Sequence, residues 1–171
     1  DSDELYNFVT AELCRQNVNQ AAIAAIASVD LKADEPAILA LAARLDVPFR
    51  VFSVTELERQ TGNLANPSDV VFAEIGTYGV AEAAALEAAM LQTGGAQASL
   101  FTEKQKTKDA TLALVQMAAP LVDQRLLRGR KPGKVMLIGI GPGKSDWRTP
   151  EAAKWVQLAD ELVGYGLYID L

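Results

Sequence analysis

Three islands of this sequence gather side chains able to do chemistry: Lys32-Ala-Asp-Glu35, Glu74-Ile-Gly-Thr-Tyr-Gly-Val-Ala-Glu82, and Lys104 with Lys106 and Lys108. Each falls where a strand or helix is expected to end, and strand ends are where α/β sheets place their sites. The chain has no histidine and a single cysteine, Cys14. That removes intramolecular disulfides, ordinary zinc sites and every Ser-His or Cys-His nucleophile pair. Acid–base chemistry is left to Asp, Glu, Lys and Tyr, and no metal site is expected. Plainer readings stand beside the chemical ones. Lys32 and Glu35 can be a capping pair, and Glu82 an exposed first-turn acid worth about 0.3–1 kcal/mol to its helix. Lys106 and Lys108 can be solvated turn residues, and Cys14, beside Leu13 on a helix face, suits ordinary packing.

A second feature is Val135-Met-Leu-Ile-Gly-Ile-Gly-Pro-Gly143. Four apolar residues, Val135 to Ile138, predict a strand covered on both faces, and Gly139, Gly141 and Gly143 permit tight turns. Thr149 is placed to cap a following helix with Pro150 at its first position. The dinucleotide fingerprint fails because Lys144 stands where a third spaced glycine is required, and Pro142 contributes no phosphate-binding N–H. The Walker pattern fails because Ile138 stands five residues ahead of Gly143. The loop therefore lacks the pattern of either nucleotide-binding motif.

The elements that must position these groups follow from periodicity. Leu5, Phe8, Val9 and Leu13 recur at helical spacing behind acidic residues, and Ala22 to Val29 reads as a buried strand. Asp34-Glu-Pro36 opens a helix with Ile38, Leu41, Ala42 and Leu45 on one face, and Phe49 to Phe52 alternates as a strand. Ser68 caps a short helix ending at Gly76, and an alanine-rich helix runs from Val80 to Leu91. Ala98 to Thr102 and Thr111 to Met117 read as neighbouring strands joined by a charged turn. The β-α-β rhythm makes the fold α/β.

Half of the 171 residues are apolar and net charge is −6, which disfavours general nucleic-acid binding. Residues 1–124 carry 17 acidic and 8 basic groups, whereas residues 125–171 carry 5 and 8. Between these parts, Arg125 to Lys134 clusters five cations with Gly129, Pro132 and Gly133, and predicts a solvated interdomain linker. No apolar run approaches the ~20 residues that span a bilayer, and no basic-then-apolar leader opens the chain, so a cytoplasmic protein is expected.

The order and spacing of Lys32-Ala-Asp-Glu35, Val80-Ala-Glu-Ala-Ala-Ala-Leu86, Lys104 and Thr111 resemble the small cobalamin-biosynthesis domain found at the carboxy terminus of cobalt-precorrin-5A hydrolases. The stretch Gly139 to Gly143, Asp146, Thr149, Ala159-Asp160, Val163-Gly-Tyr165 and Tyr168 resembles the start of the tetrapyrrole methyltransferases, most of all precorrin-3B C17-methyltransferase. The resemblances imply a hydrolase-like domain over 1–118, a linker over 119–134 and the truncated start of a methyltransferase over 135–171. The implied architecture is a three-layer sandwich with a mixed sheet, followed by the first β-loop-α unit of the methyltransferase.

The implied substrate is a corrin or precorrin polycarboxylate. The hydrolase reaction opens a lactone, which needs a base and a cation for the oxyanion; Glu82 and Lys104 are the residues implied for those catalytic roles. Lys32, Glu35, Lys104 and Lys106 are the implied substrate-binding set, the lysines pairing with acetate and propionate side chains. Gly141, Pro142 and Gly143 are the implied S-adenosylmethionine-binding residues of the complete methyltransferase. The alternative is a non-catalytic corrin-holding or assembly module, with a homodimer left open. Members of the first family usually open with a strand and a Gly-Cys-Arg-Arg-Gly turn, and this sequence starts downstream of it; if that strand is absent, core and pocket are expected to be incomplete.

Overall fold

The computed structural model describes residues 1–90, 98–133, 135–141, 147–159 and 161–165. The chain forms two compact units, Asp1–Pro132 and Gly133–Leu171. The Pro142 and Gly143 positions, and those of Asp146, Asp160 and Tyr168, lie outside the described residues.

In the first unit, helix α1 (Ser2–Arg15) is opened by Asp1, whose side chain accepts the Asp3 N–H, and its buried face carries Val9 and Leu13. Strand β1 (Ile26–Val29) leads to helix α2 (Pro36–Leu45), which has Pro36 in its first turn and buries Leu41 and Ala42. Strand β2 (Phe49–Phe52) is buried at all four residues, where alternation would have exposed two. The extra cover comes from Arg130, whose backbone exchanges hydrogen bonds of 2.9 and 2.8 Å with Val51 on the outer edge of β2. Helix α3 (Val54–Glu58) begins with a capping box in which Ser53 and Glu56 each satisfy the other's backbone N–H. Helix α4 (Asp69–Ile75) runs from the Ser68 cap to Gly76 at φ +85°. Helix α5 (Val80–Ala89) follows, and its small side chains let it pack closely.

Among the described residues the strands form two separate pairs where one mixed sheet was expected. β1 and β2 are parallel, while β3 (Ala98–Lys106) and β4 (Thr111–Met117) are antiparallel, with register irregularities between Leu100 and Gln105. β3 continues through Lys106, so Glu103, Lys104, Gln105 and Lys106 belong to a strand and not to the turn. The layers are nonetheless distinct. Val29, Phe52, Leu57, Ala83, Ala84 and Ala88 form a core on the α5 side, and Val9, Leu13 and Leu41 pack with Ile26, Leu112 and Leu114 on the α1–α2 side.

The basic segment is not a solvated linker. Leu127 is buried, and Arg128 pairs with the buried Glu87 at 2.6 Å. The buried Arg50 donates to the Gln124 carbonyl at 3.3 Å, and Arg130 reaches Asp30 at 3.1 Å. Gly129, at φ +87°, lies so close to the Phe52 ring that a Cβ there would stand 2.7 Å from its Cζ. Arg128 and Arg130 pair with acids distant in sequence, which composition could not reveal.

The second unit contains one regular element among its described residues, helix α6 (Pro150–Leu158), with the Thr149 hydroxyl accepting the Ala152 N–H at 3.2 Å. The strand expected at Val135–Ile138 is not formed, and Val135 and Leu137 are 88 and 96 % exposed. An apolar run becomes a strand only when a neighbour supplies hydrogen bonds and cover, and the described part of this unit supplies neither.

Candidate functional site

Glu82 sits in the first turn of α5 and is 1 % exposed, so it is not the exposed helix-capping acid its position suggested. Its carboxylate is the centre of a converging set of donors. Oε2 accepts the Ala65 and Asn66 backbone N–H groups at 2.9 and 3.1 Å. Oε1 accepts Asn66 Nδ2 at 3.0 Å and the Lys104 backbone N–H at 2.8 Å. Burial pushes the Glu82 carboxyl up, but the hydrogen bonds from Lys104, Asn66 and Ala65 together outweigh it and hold the pKa below the usual carboxylate value. The group is therefore an ionised anchor that ties α5, the 64–66 loop and β3 together.

Lys104 is held in the same cluster by both ends. Its backbone N–H meets Glu82, and its Nζ donates to the Asn66 carbonyl at 2.9 Å. Asn66 also donates through Nδ2 to Glu103 at 3.1 Å. An ammonium has three donors; among the described residues the half-buried Lys104 uses one of them on the Asn66 carbonyl. Asn66 is the member of this cluster that sequence reasoning missed. It lies in an Ala-Asn-Pro-Ser stretch that reads as a simple turn, and only its long-range bonds to Glu82 and Lys104 single it out.

The 76–79 loop leading into α5 is fixed nearby. The Tyr78 carbonyl accepts the Ser68 N–H at 2.8 Å, and the Tyr78 ring stacks on Phe72 with centroids 4.5 Å apart. The hydroxyls of Thr77 and Thr102 are buried without a hydrogen-bond partner among the described residues. Behind α5, Glu87 is likewise 1 % exposed, held by Gln60 Nε2 at 2.7 Å and by the Arg128 and Arg59 guanidiniums.

The remaining predicted residues lie elsewhere. Lys32 and Glu35 are exposed on the rim of a groove of about 1250 Å³ whose walls come from α1, α2, α5, β1 and β4. The Glu35 N–H donates to the Lys32 carbonyl at 3.2 Å, but among the described residues no side-chain bond joins the two, and Glu35 stands at the α2 N-cap without a side-chain capping bond. Glu82, Lys104 and Lys106 do not line that groove. Lys106 is exposed at the end of β3, opposite Thr111. The structure thus brings Glu82 and Lys104 together and leaves Lys32 and Glu35 as a second group. In the second unit, Gly141 has φ +72°, and a Cβ there would stand 3.3 Å from the Trp147 carbonyl oxygen. That is a backbone conformation a glycine adopts without strain. Cys14 is exposed rather than packed. Among the described residues, no cluster of His, Cys, Asp and Glu is arranged to hold a metal ion, and no helix is long and apolar enough to cross a membrane.

Comparison with known proteins decides the lineage of the first unit. The family model described as "Cobalamin synthesis G C-terminus" matches residues 1–115. The chain belongs to this family. Protein CobE of a Sinorhizobium species is 42 % identical over 101 residues, covering 59 % of this chain and 62 % of CobE. A CobE crystal structure, from the cobalamin (vitamin B12) biosynthetic pathway, superimposes with a TM-score of 0.63 at 31 % identity, covering 71 % of this chain and 84 % of that one. The cobalt-precorrin-5A hydrolase of Priestia megaterium is 29 % identical over 112 residues, 66 % of this chain and 28 % of the hydrolase. Cobalamin biosynthesis protein CobIJ of Mycobacterium tuberculosis is 45 % identical over 38 residues, 22 % of this chain and 8 % of CobIJ. The chain therefore spans less than two thirds of the length of each of these curated relatives. Together they place it among the cobalamin-biosynthesis proteins, with a mixed α/β fold like that of CobE.

Proposed function

We propose that the first unit holds a corrin-ring precursor by its carboxylate side chains during cobalamin synthesis, with Lys104 as the principal anchor and Lys32 and Lys106 as further contacts. The observation that carries this reading is the fixed Lys104 ammonium. It is positioned by Asn66 and by the Glu82-anchored backbone, so little side-chain freedom is lost when a carboxylate binds. Corrin precursors bear acetate and propionate groups, for which a pre-positioned lysine is a suitable partner.

The geometry favours holding over lactone hydrolysis. A general base must present a free lone pair to the water it activates, and both Glu82 oxygens are already engaged by main-chain and amide donors. A hydrolase-like activity remains the second reading. Its support is the likeness to the cobalt-precorrin-5A hydrolase, with Lys104 supplying the cation for an oxyanion.

For the full-length protein, the second unit is read as the beginning of a precorrin-3B C17-methyltransferase. The support is the Gly141 turn, the Thr149-capped helix and the likeness to CobIJ. Gly141, Pro142 and Gly143 would hold S-adenosylmethionine, which supplies the methyl group. The protein's own contribution is a loop whose small residues admit close approach of the donor.

The test is an absorbance titration with cobyrinic acid, a corrin polycarboxylate, on the native chain and on Lys104→Ala and Lys32→Ala. A saturable band shift that weakens in Lys104→Ala supports the reading. No shift with the native chain overturns it.

A further inference from the structure

β3 carries one residue more than β4 beside the Glu82 cluster. Thr102 stands opposite Leu114 and Gln105 opposite Leu112, so Glu103 and Lys104 together face the single residue Ala113. That is a β-bulge, which sets two residues against one and re-aims a side chain. In a regular strand, consecutive side chains point to opposite faces. Here both reach Asn66: its side-chain amide donates to Glu103 Oε2 at 3.1 Å, and its carbonyl accepts from Lys104 Nζ at 2.9 Å. The Glu82 carboxylate holds the bulge in place by accepting the Lys104 main-chain N–H at 2.8 Å.

An acid and a lysine brought to one side of a strand could neutralise each other. Asn66 engages each of them separately instead. Among the described residues Glu103 and Lys104 form no ion pair, and neither side chain makes a further hydrogen bond. Each therefore keeps its own character toward a ligand: an ammonium only donates, and an ionised carboxylate only accepts. Lys104 is half-buried and Glu103 is exposed beside it. A ligand carboxylate seated on Lys104 brings its neighbouring group to Glu103. A second carboxylate there meets like charge, whereas a hydroxyl or carboxamide donates a charge-assisted hydrogen bond.

We propose that Glu103 is the specificity-determining residue of the Lys104 site. It selects ligands in which the carboxylate bound by Lys104 has a neutral N–H or O–H donor as its neighbour, and disfavours those in which that neighbour is another carboxylate. The ligand class is a macrocycle whose rim mixes acid with amide or hydroxyl groups. Discrimination comes from both sides, because the right neighbour gains a bond to Glu103 and the wrong one meets its charge. Asn66 is the positioning residue that keeps the acid and the lysine apart. The inference rests on the reading of Lys104 as a carboxylate anchor and adds what must stand next to that carboxylate.

The experiment titrates the 171-residue chain and its Glu103→Gln variant with two corrins. In cobyrinic acid every acetate and propionate arm is a carboxylate; in cobyric acid all but one are carboxamides. Glu103 is exposed, so the substitution leaves the core untouched. The expected result is a crossed response, in which Glu103→Gln binds cobyrinic acid about threefold or more tightly and cobyric acid about threefold or more weakly. A residue that only braces Asn66 and Lys104 weakens both ligands together, and one that acts only through overall charge tightens both. Either outcome overturns the proposal, as does unchanged affinity for both or binding of cobyrinic acid alone by the native chain. When the native chain binds both corrins and the response is not crossed, the Lys104 anchor stands and this inference alone fails. Binding of neither corrin removes the anchor reading and this inference with it.

Discussion

The Glu82 carboxylate accepts the main-chain N–H of Lys104 at 2.8 Å, while the Lys104 ammonium returns to the Asn66 carbonyl, on the loop that the same carboxylate holds. Two residues that look like an acid–base pair in sequence are a buried structural anion and the lysine it positions. Glu82→Gln keeps the shape but replaces one acceptor oxygen with a donor facing other donors. Thermal or urea unfolding is expected to show a loss of about 2–4 kcal/mol. A stable Glu82→Gln protein with unchanged corrin binding would show that the anchor is dispensable.

Acid should weaken this protein through a small set of carboxylates. Glu82, Glu12 and Glu56 are all held below the ordinary value of 4.5. For Glu82, hydrogen bonds outweigh burial; Glu12 is held mainly by its bonds to Arg15 and Glu56 by the Ser53 backbone N–H. A depressed folded-state pKa contributes stability above the unfolded value and loses it as pH falls through the folded value. The unfolding midpoint is therefore expected to hold near neutrality and fall steadily below about pH 4.5, with a shallower fall in Glu82→Gln.

Gly129 should not tolerate a side chain. Its φ of +87° is costly for any other residue, and the added Cβ would strike Phe52, a core residue that is 1 % exposed. Gly129→Ala is expected to cost about 2–4 kcal/mol and to loosen the Arg130 bridge to β2, measurable as faster amide exchange at Val51.

Removing Arg128 should expose the cost of burying Glu87. Arg59 remains only at 3.8 Å, and the Gln60 amide is left as the close partner. Arg128→Ala is expected to destabilise the chain by about 2–3 kcal/mol. Pairing it with Glu87→Gln should recover part of that loss, because no uncompensated charge then stays buried. A double-mutant cycle by chemical denaturation checks both statements.

Ligand binding should separate Lys104 from Lys106. Lys104 is pre-positioned, so Lys104→Ala is expected to weaken cobyrinic acid binding about tenfold or more. Lys106 is a solvated strand-end lysine, and Lys106→Ala should change affinity about twofold at most. Titration at two salt concentrations checks that the Lys106 contribution is the more strongly screened.

The sequence by itself determined the local elements. Pro36 behind Asp34-Glu35, Ser68 ahead of Gly76 and Thr149 ahead of Pro150 mark helix ends through backbone preferences and capping bonds made within a few residues, and each helix lies where those signals put it. The α/β rhythm and the family of residues 1–115 were legible for the same reason, because their signals are ordered along the chain. What only the tertiary structure decided depends on partners far apart in sequence. It made Glu82 an anchor by bringing Asn66 and Lys104 to it, docked the basic 125–130 stretch against Glu87, Asp30 and Phe52, and left Val135–Ile138 outside any strand. Spacing reports which face a residue shares with its neighbours. It does not report whether that face meets a donor, a charge or water, and that encounter sets whether a carboxylate is a base or a brace.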